Sequence, residues 1–397
     1  MKKVWDKWTR IALVKRILVG LILGAILGIA VPQATGIAIL GDVFVSALKA
    51  IAPLLVFFLV ISSLCNAGKS HGGVIKTVIV LYMFSTVLAA VIAVFASMAF
   101  PVKMTLANAA TDTSAPQGIV EVLNNLLLNV VANPVSSLVN ANYVGILMWA
   151  VLLGLAFRAA DKMTKKVLAD VADGISMVVT WIINLAPFGI FGLVFNTVST
   201  NGLDIFTTYG KLLLLLVGCM LFIYFVTNPL LVYWCIRQNP YPLIFQCLKR
   251  SALTAFFTRS SAANIPVNMK VCEEMGLDRD TYSVTIPLGA TINMDGAAIT
   301  ITVMTMATAF TLGIHVDIPT AIILSLLAAL SACGASGVAG GSLLLIPMAC
   351  SLFGISDDIS MQVVAVGFII GVVQDSVETA LNSSSDLLLS ASAEFRQ

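Results

Sequence analysis

The sequence predicts an all-α polytopic membrane protein, with eight transmembrane helices plus two oppositely oriented re-entrant helical hairpins. Three observations carry that prediction. Of 397 residues, 59% are hydrophobic and 11% charged, at a mean hydropathy of +1.00, where an ordinary soluble domain carries about 25% charged residues. Apolar runs near the roughly 20 residues that a span requires recur along the chain. The basic residues also sort to one side of those runs, all of the 22 except Lys49, Lys103 and Lys211. This composition excludes a soluble enzyme, a nucleic-acid binder and a disordered scaffold, and leaves no room for a large soluble domain.

The elements follow in chain order. Lys2, Lys3, Lys7, Arg10, Lys15 and Arg16 precede the apolar stretch 17–31. A signal peptide begins in the same way, but a second long apolar segment, 43–65, follows at once, so the first stretch reads as an uncleaved helix. Further spans are expected at 78–100, 143–157, 175–195, 212–234, 284–310 and 361–389. Placing both termini in the cytoplasm puts the basic loops inside, as the positive-inside rule requires. Pro53, Pro187 and Pro229 read as kinks, and the seven scattered cysteines as apolar packing residues without a disulfide or metal framework.

Two segments resist a simple reading. Residues 243–276 are broken by Arg259-Ser260-Ser261, and 319–350 by the run from Ser331 to Ser342. If both dip in and return on the same side, the parity of the basic loops is kept. Each is then a hairpin with its small-residue tip at membrane depth, where irregular backbone is tolerated only inside protein or along a wet cavity. Each hairpin precedes a span that carries acids, and the two hairpins enter from opposite sides. Such inverted units are the mark of a secondary transporter.

The acids carry the chemistry. A carboxylate at the bilayer centre costs roughly 2.5–3.5 kcal/mol even on lenient scales, yet Asp295, Asp375, Glu378 and Asp386 all lie inside spans. Asp375, Thr379, Asn382 and Asp386 stand at i, i+4, i+7 and i+11, one face of a helix. Gly289 to Gly296, containing Asn293 and Asp295, reads as an unwound turn whose free carbonyls suit a hard cation and not zinc. Ser85-Thr86 in the third span would, alone, simply hydrogen-bond back to its own helix. His71 and His315 fall in loops, so no buried histidine is available as a proton relay. Gly334-Ala335-Ser336-Gly337 matches the pattern of an intramembrane serine protease, but Ser336 would lack a histidine base. A passive ion channel would want an open path of weak sites, whereas these polar groups converge on one occluded place.

The chain resembles the dicarboxylate/amino acid:cation symporters at Arg259-Ser260-Ser261, Asn293-Met294-Asp295-Gly296, Gly337-Val338-Ala339-Gly340 and the Asp375–Asp386 stripe. Within that family it is most similar to the bacterial sodium-coupled serine and threonine symporters. The resemblance implies inverted repeats like those of glutamate-transporter homologues, an elevator-type mechanism, a homotrimer and a bacterial inner-membrane location. Residues 1–76 would be scaffold spans one and two, and 77–117 the third span, in the transport domain, with an external loop. Residues 118–236 would hold spans four and five of the scaffold and span six of the transport domain. Residues 237–397 would form the transport core: hairpin one (243–276), span seven (283–312), hairpin two (319–350) and span eight (361–392).

The resemblance also implies roles. Asp375 would bind the substrate ammonium, and Asn382, Thr379, Ser260 and Ser261 its carboxylate, with Val338 and Gly340 closing over it. One sodium ion would use Gly289, Asn293, Asn382 and Asp386. A second would use Thr291, Ala332, Cys333 and Ala335, and a third Ser85, Thr86, Asn293 and Asp295. Acidic-substrate members place an arginine where this chain has Glu378 and a threonine where it has Ala297. The pocket should therefore reject glutamate and aspartate and prefer a small neutral amino acid, the alternative being a symporter for acidic amino acids or dicarboxylates. Glu378 itself could hydrogen-bond a substrate hydroxyl, carry a proton or pair with Arg259.

Overall fold

The computed structural model describes residues 11, 13–66, 73–106, 128, 131–202, 205–333 and 340–396. Among them there is no strand, and helices succeed one another in the order that hydropathy suggests. Six are long and apolar enough to cross a membrane, so the chain is a multi-pass membrane protein.

Helix α1 (Leu13–Ala30), α2 (Ile39–Asn66) and α3 (Gly73–Ala99) come first. Helix α4 (Tyr143–Ala156) is short, capped by Asn142, whose side chain accepts from Gly145 N–H. The fifth apolar run, expected at 175–195, is not one span. It is divided at Leu185 between α5 (Lys162–Asn184) and α6 (Ala186–Asn201). Pro187, in the first turn of α6, is the physical reason: it lacks an N–H and disfavours helical geometry in the residue before it. Helix α7 (205–236) contains a π-turn at Ile223–Thr227 just before Pro229, and Pro53 sits inside α2.

The segment expected as hairpin one is built from α8 (241–258) and α9 (Ser261–Glu274). The chain reverses at Arg259, which adopts a left-handed φ of 52°, and Ser260 caps α9 by accepting from Ala263 N–H at 3.2 Å. Then come α10 (Arg279–Ile292) and α11 (Asp295–Thr311), split by the non-helical Asn293 and Met294. The segment expected as hairpin two comprises α12 (Ile318–Ala332), a 3-10 turn Gly341–Leu345 and α13 (Ile346–Ser351). Its tip, including Ala335, Ser336 and Val338, lies outside the described residues, as does His71. The last helix, α14 (Asp357–Glu394), runs 38 residues without a break.

These helices pack in two groups. In the first, α1 lies along α6, and α2 packs on α4, α5 and α6. Gly20, Gly24 and Gly28, four residues apart, let the α1 backbone approach α6 closely. A Cβ on Gly20 would sit 2.2 Å from the Pro187 carbonyl oxygen, and one on Gly24 2.6 Å from that of Phe191. This is the small-xxx-small packing of membrane helices, where close backbone approach gains dispersion contacts that lipid cannot supply. In the second group α14 is the axis, touched by α3, α7, α8, α9, α10, α11 and α13. The cysteines are free, six buried and Cys333 half-buried.

Candidate functional site

The break between α10 and α11 opens the centre of the second group. At Asn293 (φ −97°, ψ 82°) and Met294 (φ −122°, ψ 48°) the helix unwinds, freeing carbonyls that a continuous helix would have used. Asp295 then opens α11, in the first turn, where the helix dipole favours a negative charge. It is fully buried. Ser85 donates to its Oδ2 at 2.7 Å and Thr86 to its Oδ1 at 3.2 Å. The single Thr86 hydroxyl proton is shared with the Tyr82 carbonyl, 2.9 Å away. Both modes of the Ser85-Thr86 pair, back-bonding and outward reach, are therefore present.

Asp386 is equally buried and receives one side-chain donor, Asn293 Nδ2 at 2.9 Å. That same nitrogen lies 2.8 Å from Ser385 Oγ and 3.4 Å from the Asn382 carbonyl. Asn293 Oδ1, in contrast, is buried with no donor. Gly289 completes the approach, because a Cβ there would fall 2.7 Å from Asp386 Oδ1 and 2.9 Å from Tyr82 Oη. Tyr82 links the helices behind it, within 2.9 Å of the Asp386 carbonyl and 2.8 Å of Ser390 Oγ.

One buried carboxylate thus bonds the Asn293 amide nitrogen and another lies two residues along the chain, and among the described residues neither acid has a cationic partner. Buried charge without a partner is costly, so the arrangement calls for cations. Its donors are carboxylate, amide, hydroxyl and carbonyl oxygens. No group of three His, Cys, Asp or Glu gathers anywhere among the described residues, which suits a hard alkali ion and not a transition metal. Gly289, Asn293, Asn382 and Asp386 come together, as do Ser85, Thr86 and Asp295. Of the second predicted set, Cys333 Sγ lies 3.6 Å from the Ile292 carbonyl, beside Thr291, at the end of α12 that carries Ala332.

The neighbouring acids differ. Asp375 is paired, with Arg259 Nε 2.6 Å from its Oδ2 and Gly340 N–H 3.2 Å from its Oδ1. Arg259 therefore serves Asp375 and not Glu378, which removes one of the three roles open to Glu378. Instead Glu378 Oε2 collects three donors: Thr300 at 2.7 Å, Ser342 at 2.9 Å and Gln374 at 2.5 Å. Gly296 fits beneath it, where a Cβ would lie 2.9 Å from Glu378 Cα, and Gly296 N–H donates to Asn382 Oδ1 at 2.7 Å. Thr379 Oγ1 donates to its own helix at the Asp375 carbonyl, 2.8 Å away.

Several of these residues escape a reading of the sequence. Tyr82, Thr300, Gln374 and Ser342 are single polar residues whose partners lie far along the chain. Asn264 and Asn268 carried a signal, two amides at i, i+4 in an apolar hairpin. They bind α9 to α14, with Asn264 Nδ2 2.8 Å from Ser383 Oγ and Asn268 Nδ2 2.8 Å from the Ser383 carbonyl.

A buried, oxygen-lined centre at a broken helix is a feature of secondary transporters, and residues 13–394 match the sodium:dicarboxylate symporter family; the chain belongs to that family. It is 58% identical to the serine/threonine transporter SstT of Bifidobacterium adolescentis over 396 residues, covering 100% of this chain and 92% of that protein. It is 56% identical over 395 residues to the serine/threonine transporter SstT of Streptococcus thermophilus, covering 99% of this chain and 98% of that one. These likenesses are to transporters, so the chain is not an enzyme, and the protease reading of Ser336 falls away.

Proposed function

We propose that the protein is a sodium-coupled symporter that imports L-serine and L-threonine across a bacterial inner membrane. The observation that carries this reading is the pair of fully buried acids at the helix break, Asp295 and Asp386, neither with a cationic partner among the described residues. Sodium ions neutralise them, and their binding shapes α10, α11 and hairpin two for the amino acid. One ion takes Gly289, Asn293, Asn382 and Asp386. Another takes Ser85, Thr86, Asn293 and Asp295, and a third lies by Thr291, Ala332, Cys333 and Ala335.

The substrate ammonium goes to Asp375, which exchanges part of its contact with Arg259 for the ligand. The substrate carboxylate meets Asn382, Thr379 and the hairpin-one tip at Ser260 and Ser261, under a lid formed by Val338 and Gly340. Glu378 sets the side-chain preference. Its Oε2 is committed to Thr300, Ser342 and Gln374, and no donor among the described residues reaches Oε1, which is left for a substrate hydroxyl. A second carboxylate beside Glu378 would be repelled, with the buried Ala297 offering it no hydrogen bond; this weighs against glutamate, aspartate and dicarboxylates.

The eight spans and two re-entrant hairpins are arranged with both termini cytoplasmic. The group built on α1, α2, α4, α5 and α6 acts as the scaffold of a homotrimer, and the group around α14 carries the ligands past it in an elevator-type movement. Proteoliposomes given an inward sodium gradient should accumulate labelled serine uphill, and uptake that ignores the gradient would refute the coupling. In the same vesicles Glu378→Gln should lower the preference for serine over alanine about tenfold, the worth of one hydrogen bond to a charged group.

A further inference from the structure

The two helix groups meet along a seam that is only partly apolar. Between α2, α6 and α14 it encloses a cavity of about 200 Å³ lined by Asp42, Ser46, Asn196, Thr197, Tyr209 and Gln362 among others. Across the seam stands one ion pair, Lys49 Nζ to Asp358 Oδ1 at 2.7 Å. The other two ion pairs among the described residues, Arg250–Glu274 and Arg259–Asp375, lie within the second group.

Lys49 is an unusual residue to find in α2, whose 28 positions otherwise hold a single charge, Asp42. A lysine within a span is costly unless it pairs or reaches water, and it marks function by default. Its partner here belongs to the other helix group, at the first turn of α14 and 309 positions away. Asp357, next to that partner, feels the same ammonium charge. Any sliding of one group past the other must part Lys49 from both acids, whereas contacts inside either group are unaffected.

We infer that Lys49 and Asp358 form a state-selective clasp: the pair stabilises the arrangement of the two groups seen here and so sets how readily the carrier leaves it. This inference rests on the proposed sliding mechanism. Lys49 acts through Asp358 and touches no ligand, so it is a positioning residue. With 38% of the lysine side chain and 87% of the aspartate side chain exposed, the clasp is weak enough to open within each cycle. Breaking it should shift the ratio of the two arrangements by about two- to fivefold, the scale of an exposed pair.

The test is a distance distribution between spin labels at Lys162 on α5 and Lys270 on α9, in full-length protein in liposomes, with and without sodium and serine. Lys49→Met and Asp358→Asn should each deplete the arrangement seen here by that two- to fivefold factor, with Lys49→Met the larger because it also frees Asp357. The double variant should go no further than Lys49→Met, and the exchange Lys49→Asp with Asp358→Lys should restore the wild-type ratio. Two arrangements whose ratio ignores all four substitutions would overturn the clasp and leave the sliding mechanism standing. A single invariant distance in the wild type, whatever the ligands, would overturn the sliding mechanism and the clasp with it. Should Lys49→Met fail to fold, Asp358→Asn and the exchanged pair still decide the matter.

Discussion

The α1–α6 contact and the α10–α14 centre are both buried, yet they are held by opposite means. Along α1 and α6 the glycines at 20, 24 and 28 bring backbone against backbone. Around α14 the helices are held by amides, hydroxyls and carboxylates, with Asn293 Oδ1, Gln374 Oε1 and Asn264 Oδ1 left unpartnered. Orphaned buried polar atoms destabilise a fold by about 1–3 kcal/mol each unless something occupies them. On the proposed function, a ligand completes the second region. In the proposed mechanism a frame that stays still and a core that binds and releases ions call for these two kinds of packing.

The contrast can be broken from either side. Asp386→Asn removes a full charge from the ion centre and should weaken apparent sodium affinity roughly a hundredfold, since affinity for hard cations follows ligand charge; sodium titration of serine uptake measures this, with the melting temperature little changed. Gly20→Val drives a side chain into the Pro187 carbonyl and should cost about 1–3 kcal/mol of overpacking. A thermal-shift assay in detergent reads that loss, and the sodium affinity of whatever protein remains folded should be normal. If Gly20→Val altered sodium affinity as strongly as stability, the two regions would not be separable as argued.

Smaller effects sharpen the comparison. Ser85→Ala takes one of two hydroxyls from Asp295 and should reduce sodium affinity about tenfold or less, visible in the same titration. Asn268→Leu removes the amide that ties α9 to the Ser383 carbonyl and should lower stability by about 1 kcal/mol with no change in sodium dependence. That variant belongs to the second region but behaves like the first, because Asn268 has its partners within the protein.

What could be read from the sequence follows from the same physics. Asp295, Asp375, Glu378 and Asp386 stood out because charge is rare in apolar spans, and Asn293-Met294 because Asn and Gly next to an acid break a helix. The hairpin reversal at Arg259 was legible for the same reason. The fifth span was misplaced because hydropathy sees 175–195 as one apolar run, and Pro187, which reads there as a kink, instead ends one helix and begins another. The glycine repeat of α1 was hidden, since glycine in an apolar stretch reads as merely small. Glu378 could be located but its donors could not. Thr300 lies 78 positions from it and Ser342 36, and no local pattern joins residues at such separations. Lys49 shows the same blindness across the seam.

Arg259 has a consequence of its own. It turns the chain through a left-handed backbone conformation that L side chains seldom adopt, and its side chain then neutralises Asp375. Glycine at this position would ease the turn and strand the acid; lysine would keep a charge but offer it as a point instead of a planar fork. The steering of the polypeptide and the charge balance of the pocket are thus written into one codon, so neither can drift without the other.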